Sequence, residues 1–233
     1  MAALNESLHA SMNGQWCLGL ISQAHSFEEL GHFKSALRYF TGALEPIENL
    51  FGKESNELAN VFNNMGRIYR KQRDVPKALE YYNRELAIGL GRLEAEHPND
   101  FKSRRNQDPD LGFTYNHLAG CYDELGDKGK ALEHYDMCVG IWLQKFGPDH
   151  AGVLATQKHL VVERPLHEAL VLAVSGQYNE SLNVFAQALI KAKEEFGKYI
   201  HAYMHNHILL YKCNTNDINT YTHTYRRGKL CCR

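Results

Sequence analysis

The sequence predicts an all-α chain, an α-solenoid in which antiparallel helix pairs repeat and stack into a superhelix. Three observations predict it. Four segments align in one register, running 20–44, 62–86, 115–139 and 165–189. In each, a small residue of a first helix (Ala24, Gly66, Ala119, Ala169) is followed twelve residues later by one in a second helix (Ala36, Ala78, Ala131, Ser181). Between them lies a turn holding Gly31, Gly126 or Gly176, with Arg73 at the matching place of the second segment.

Small residues at both crossing points let two helix axes approach to the near end of the usual ~8–10 Å. Glycine at the turn suits the left-handed backbone that ends many helices, a rule that Arg73 breaks. A single pair cannot bury its own apolar face, so such units are stable only as neighbours in an array.

Residues 1–15 form a polar flank to a repeat domain spanning 16–210. The first unit covers about 17–50 and the second about 59–90, with Phe27 and Phe40, then Tyr69 and Tyr82, filling the space beside the small residues. The i, i+3 and i, i+4 steps place these large groups on the buried stripe. The segment 91–110 contains Pro98, Asn99, Asp100, Pro109 and the basic Lys102, Arg104 and Arg105, and reads as an exposed inserted loop. It is a second candidate interaction surface. The third unit, about 112–145, repeats the pattern with Tyr122 and Tyr135. In 149–164, Val153, Leu154, Leu160 and Val161 suggest an extra helix, and Pro165 starts or kinks the next. The fourth unit covers about 162–195, with Leu172 and Phe185. Residues 198–212 read as the first helix of an incomplete fifth unit. Residues 213–233 lack a 3.6-residue apolar period and read as a disordered tail, the ending expected of a splice variant, a truncated gene model or a fragment.

The position closing each second helix holds Ala43 and Ala188 in the outer units but Glu85 and Cys138 in the middle ones. A carboxylate at a junction between units requires a polar partner or a loosened contact, because an unpaired buried charge is not tolerated.

Lys plus Arg (26) nearly balances Asp plus Glu (27) in the 233 residues, so no global charge favours nucleic acid or an anionic membrane surface. No stretch approaches the ~18 apolar residues of a membrane span, and 16–21 is too brief and badly flanked for a signal peptide. A cytoplasmic location without integral membrane association is therefore expected. The six cysteines (17, 121, 138, 213, 231, 232) lack CxxC spacing and read as reduced thiols. The sequons at Asn5 and Asn179 carry little weight without a secretory signal.

His201, His205 and His207 are the most plausible metal cluster, but no HExxH motif accompanies them, and ordinary surface histidines fit better. Gly126–Ala131 resembles a phosphate loop superficially; it lacks the first glycine and the Ser or Thr after Lys130. Cys231 and Cys232 do not form a prenylation box, leaving reversible acylation beside Arg226 and Arg227 as the alternative. No nucleophile with a neighbouring base and no catalytic carboxylate pair can be argued, so neither enzyme activity nor a cofactor is expected.

Phe62-Asn63-Asn64-Met65-Gly66-Arg67-Ile68-Tyr69 with Ala78 and Tyr82, and Tyr115-Asn116-His117-Leu118-Ala119-Gly120-Cys121-Tyr122 with Ala131 and Tyr135, resemble the tetratricopeptide repeat (TPR). Successive reference positions 36, 78, 131 and 181 are farther apart than the ~34 residues of a plain TPR. The excess lies in the connections, where Phe51-Gly52, Phe146-Gly147 and Phe196-Gly197 recur and Asp149-His150 follows once. This looks like the lengthened kinesin light chain and nephrocystin-like subclass.

The resemblance implies an adaptor or scaffold that holds a peptide segment or partner protein in a concave groove lined by the first helices. The residues facing that groove lie off the core stripe: Asn63, Asn64, Arg67 and Lys71 in the second unit, Asn116, His117 and Asp123 in the third. In the resembled subclass groove asparagines hold peptide backbone, and Asn63, Asn64 and Asn116 match. An amide both donates and accepts, so it can hold an extended chain without demanding a particular side chain. The other TPR use, a clamp for terminal carboxylates, is disfavoured because its places hold Ile21, His25, Asn64, Phe113 and His117. A ligand-sensing regulator, or a regulatory subunit of an enzyme, is the alternative reading.

Overall fold

A computed structural model of the chain describes residues 2–105 and 107–196. Helices and the turns between them account for the described residues, among which there is no strand. The chain divides between Leu154 and Ala155 into two compact units. In the first unit α1 (Ala2–Glu29) pairs with α2 (Phe33–Phe51), α3 (Asn56–Lys71) with α4 (Val75–Glu96), and, after the short α5 (Phe101–Arg105), α6 (Pro109–Leu125) with α7 (Lys128–Phe146). The pairs stack through α2 on α3 and α4 on α6, which makes the unit a short α-solenoid. Next come α8 (Ala151–Val174) and α9 (Tyr178–Phe196).

Helix α3 shows why these segments are helical. The Ser55 side chain accepts from the Leu58 amide, Glu57 sits in the first turn, and Arg70 and Lys71 sit in the last. Cap and charges satisfy both ends of the helix dipole. Its stripe of Leu58, Val61, Phe62, Met65 and Ile68 is buried against Ala36, Phe40, Ala43 and Ile47 of α2. A second core gathers Tyr82 and Leu93 of α4 with Leu118 and Cys121 of α6 and Cys138, Ile141 and Trp142 of α7.

All four helix pairs use the same turn. The amides of His32, Asp74, Asp127 and Gln177 donate to the carbonyls of Phe27, Tyr69, Tyr122 and Leu172, five residues back. The preceding residues, Gly31, Arg73, Gly126 and Gly176, donate three residues back and have φ of 75°, 64°, 80° and 84°. This is the Schellman arrangement, which closes the last open carbonyls of a helix through one left-handed residue. Arg73 takes that conformation despite its side chain. Replacing it with glycine relieves a left-handed penalty of ~1–2 kcal/mol against ~0.4–1 kcal/mol of added unfolded-state freedom. Arg73→Gly is therefore expected to stabilise the fold by about 0.5–1 kcal/mol, read as a higher urea midpoint at unchanged slope. The Arg73–Glu124 approach is 3.9 Å at an 85% exposed arginine side chain and offsets little.

The crossing points are as tight as small residues allow. Ala24, Ala36, Ala78, Ala119, Ala131 and Ala169 are almost wholly buried. In the fourth pair the Ser181 hydroxyl donates to the Ala169 carbonyl at 2.6 Å, twelve residues away. The Phe-Gly turns also match: the amides of Gly52 and Gly147 donate to Glu48 and Leu143, at φ 91° and 83° with ψ near 170°.

Two stretches differ from the sequence expectation. Helix α4 continues to Glu96, inside the segment read as loop, because Ile88 and Leu93 keep its apolar stripe buried. The remainder of that segment contains α5, whose Phe101 packs on the second core. Helix α8 runs unbroken through Pro165, so the expected extra helix and the first helix of the fourth pair are one element. The proline removes one ladder donor without ending the helix.

Cys17, Cys121 and Cys138 are free and buried. Burial pushes the Cys121 thiol up to about 11 and the Cys138 thiol to about 12, which keeps both protonated and unreactive. No described helix is long and apolar enough to cross a membrane. The expectations for 198–212 and 213–233, including His201, His205, His207, Cys231 and Cys232, lie outside the described residues.

Candidate functional site: the face formed by the first helices

Helices α1, α3 and α6 are the first members of their pairs, and polar side chains join them in series. Between α1 and α3, the Arg67 guanidinium donates to both Glu28 oxygens at 3.1 and 2.7 Å, and Lys71 Nζ donates to Glu28 Oε1 at 2.7 Å. The Glu28 side chain is 4% exposed, whereas those of Arg67 and Lys71 are 43% and 49% exposed. Burial pushes the Glu28 carboxyl up, but the hydrogen bonds and charges of Arg67 and Lys71 outweigh it and hold the group below the ordinary carboxylate value. Two cations thus meet one buried anion, leaving a positive surplus at the solvent side.

Between α3 and α6 a second cluster forms around Asn63. Its Nδ2 donates to the two Glu85 oxygens at 2.9 and 3.0 Å and reaches His117 Nδ1 at 3.3 Å. Thr114 Oγ1 donates to Glu85 Oε1 at 2.8 Å. Since the Asn63 amide nitrogen can only donate, His117 Nδ1 accepts and the imidazole is neutral. Burial lowers the His117 pKa to about 4, assisted by the charges of Arg70 and Arg67. Burial also raises the Glu85 carboxyl to about 7; hydrogen bonds from Thr114 and Asn63 lower it partly, and Asp110 adds to the rise. The His117 ring stacks on Tyr82 with centroids 4.9 Å apart. Farther along, Arg70 Nε donates to Glu124 Oε1 at 2.7 Å, with the guanidinium lying over Gly120.

The seven residues singled out in the sequence therefore fall into distinct settings. Asn63 bonds both Glu85 and His117, and Arg67 and Lys71 meet at Glu28. Asn64 Nδ2 donates to the Asn60 carbonyl of its own helix at 2.8 Å and remains half-buried. Asn116 is half-buried on α6. Asp123 accepts from Lys128 Nζ at 2.9 Å and from the Tyr135 hydroxyl at 3.4 Å, tying the end of α6 to α7. Sequence reasoning missed Glu28, Thr114, Arg70 and Glu124. The i, i+4 cations Arg67 and Lys71 on one helix face were the available sign that a carboxylate stood opposite.

Among the described residues, no group of three His, Cys, Asp or Glu side chains is placed to hold a metal ion. Comparison with known proteins accords with this geometry. Tetratricopeptide repeat models match residues 19–89 and 114–152. No curated protein matches the chain significantly. Among solved structures, the kinesin light chain nearly identical TPR-like repeats of Podosopora anserina are 16% identical, with a TM-score of 0.53 over 83% of this chain and 94% of that one. A substituted variant of the same repeats gives 0.53 at 16% identity, covering 83% and 93%. BtubC (BKLC) of P. vanneervenii is 18% identical, with a TM-score of 0.48 over 80% of this chain; the chain spans 63% of its length. The repeated Schellman turns, the twelve-residue crossings and the two family matches agree, and residues 19–89 and 114–152 carry tetratricopeptide repeats.

Proposed function

We propose that the chain is an adaptor that holds an extended segment of a partner protein along the face of α1, α3 and α6. Tetratricopeptide repeats are in general protein-interaction modules. One observation carries the reading. Side-chain bonds between successive first helices, Glu28 with Arg67 and Lys71 and Asn63 with His117, fix the face in advance of any ligand. A platform already ordered avoids much of the entropic cost of binding.

Within this platform Asn63 and His117 belong to the support, whereas Asn64, Asn116 and the half-exposed ends of Arg67 and Lys71 are the contact groups. The amides suit backbone N–H and C=O groups, and the cation surplus suits an acidic residue in the guest. Asp123, committed to Lys128 and Tyr135, sets the edge of the face.

Affinity purification with mass spectrometry supplies the partner segment, and calorimetry then measures its binding. Asn64→Ala combined with Asn116→Ala is expected to weaken the complex by about tenfold, since each lost hydrogen bond is worth ~0.5–1.5 kcal/mol. The melting temperature should hold, because neither side chain bonds to another helix. Unchanged affinity removes these asparagines from the binding surface.

A further inference from the structure

The segment read as an exposed loop helps to build an open surface cavity of about 510 Å³ between the end of α4, α5, the start of α6 and the end of α7, with Arg104, Gln107, Gln144 and Lys145 exposed at its rim. Leu93 and Pro109 supply its apolar wall. Its polar lining is rich in nitrogen donors: Arg104 from α5, Lys145 and Gln144 from α7, and His97 and Gln107 from the connections. The volume falls within the ~300–1,000 Å³ typical of ligand pockets and exceeds what a single small ion needs.

The charge balance of the lining is positive. Asp108 is its one carboxylate, and it is already engaged. It accepts from Arg92 Nη2 at 3.2 Å and caps α6 by accepting from the Asp110 amide at 2.9 Å. Lys145 makes no ion pair among the described residues, and Arg104 approaches only Asp100, at 3.6 Å in an exposed i, i+4 pair. Such a pair is worth little. Two cations from different helices therefore line the cavity, Lys145 without an ion pair among the described residues and Arg104 with that exposed pair alone.

We propose that this cavity binds a phosphate group, carried by a phosphorylated segment of a partner or by a small phosphate ester. A phosphate carries about −1.5 to −2 charges and three acceptor oxygens at neutral pH, enough to engage a guanidinium, an ammonium and side-chain amides together. A lone carboxylate offers two oxygens and one charge, and leaves part of this donor set unused. The site shares no residue with the face of α1, α3 and α6, so it stands or falls independently of the adaptor reading.

The test uses the full chain at low ionic strength, titrated by calorimetry with inorganic pyrophosphate and, separately, with a short glycine-rich phosphoserine peptide and its unphosphorylated twin. Saturable binding of a phosphate-bearing probe is expected. It should weaken at least about tenfold in the Arg104→Glu, Lys145→Glu variant through loss of two charge-assisted contacts. A charge-matched control, Lys34→Glu with Lys53→Glu at exposed positions of α2 and the following turn, should bind as the wild type does. Circular dichroism checks that both variants fold. Binding of pyrophosphate alone assigns the site to small phosphate esters, and binding of the phosphopeptide but not its twin assigns it to a partner segment. No binding of either probe, or equal loss in both double variants, overturns the proposal.

Discussion

Tyr82→Ala is expected to cost about 3–5 kcal/mol, the usual range for truncating a buried aromatic ring. Tyr82 is 1% exposed and is the largest of the fully buried side chains. Its ring is the common surface of two contacts: it lies against Gly66 on the partner helix α3, and it stacks on His117 of the next pair. Removing it opens a cavity at the crossing point and strips one face of the histidine that Asn63 holds. Against a total stability of ~5–15 kcal/mol, the loss takes a large share of the fold. Urea unfolding followed by far-ultraviolet dichroism measures it, and a loss below about 1 kcal/mol contradicts the packing described.

The reciprocal change tests the same contact without a cavity. A Cβ added at Gly66 would lie 2.9 Å from two carbons of the Tyr82 ring, closer than real Cβ contacts come. Helix preference alone favours alanine over glycine by ~1 kcal/mol. A net loss in Gly66→Ala, expected at about 1–3 kcal/mol, therefore reports the clash directly. Combining Gly66→Ala with Tyr82→Leu should cost less than the two single changes added together, by ~1 kcal/mol, because the smaller side chain frees the space that the methyl group needs. Strict additivity would falsify the idea that these residues define the crossing.

The same pair explains how much of the fold the sequence disclosed. Ala24 with Ala36, Gly66 with Ala78 and Ala119 with Ala131 were legible because close helix contact restricts residue size at fixed positions, and the seven-residue step to Gly31, Gly126 or Gly176 follows from one turn geometry. Arg73 showed that the turn geometry prevails over the residue. Segment ends were less legible. Pro98 and Asn99 suggested a loop from 91 onward, but apolar burial at Leu93 carried α4 to Glu96, and Gly89 is accommodated in that helix because its bare Cα faces Leu111.

The site was legible only as a face. An off-stripe position tells which way a side chain leaves its helix, not what it meets across 39 residues of sequence, as Arg67 meets Glu28, or across 29, as Thr114 meets Glu85. Five of the seven candidate residues, Asn63, Arg67, Lys71, His117 and Asp123, consequently proved to be bonded to another helix. Glu85 was conspicuous as a carboxylate where alanine closes the outer units, and the polar partner it required is present in Asn63 and Thr114.

Glu85 should also give the array a pH dependence of about 3 kcal/mol. Its folded pKa of about 7 lies above the ordinary 4.5, with burial as the main cause. Between those values the unfolded chain releases the proton and the folded chain keeps it. The stabilisation is therefore complete below about pH 4.5 and is lost as pH rises through 7. His117 acts in the opposite sense: its folded pKa of about 4 lies below the ordinary 6.5, so its contribution is complete above 6.5 and lost as pH falls through 4. Both groups bond the same Asn63 amide, and their opposed slopes confine the most stable range to mildly acidic pH. Glu85→Gln separates the two. Glutamine accepts from Asn63 as before and donates to Thr114 Oγ1, whose own proton still has the Asp110 carbonyl at 3.0 Å. The variant should match the wild type near pH 5, exceed it by about 2–3 kcal/mol at pH 8, and lose the alkaline slope while keeping the acid one. Unfolding curves at pH 5, 6, 7 and 8 provide the measurement. Parallel profiles for the two proteins would mean that Glu85 is ionised throughout, and that the link between α3, α4 and α6 is an ordinary solvated carboxylate.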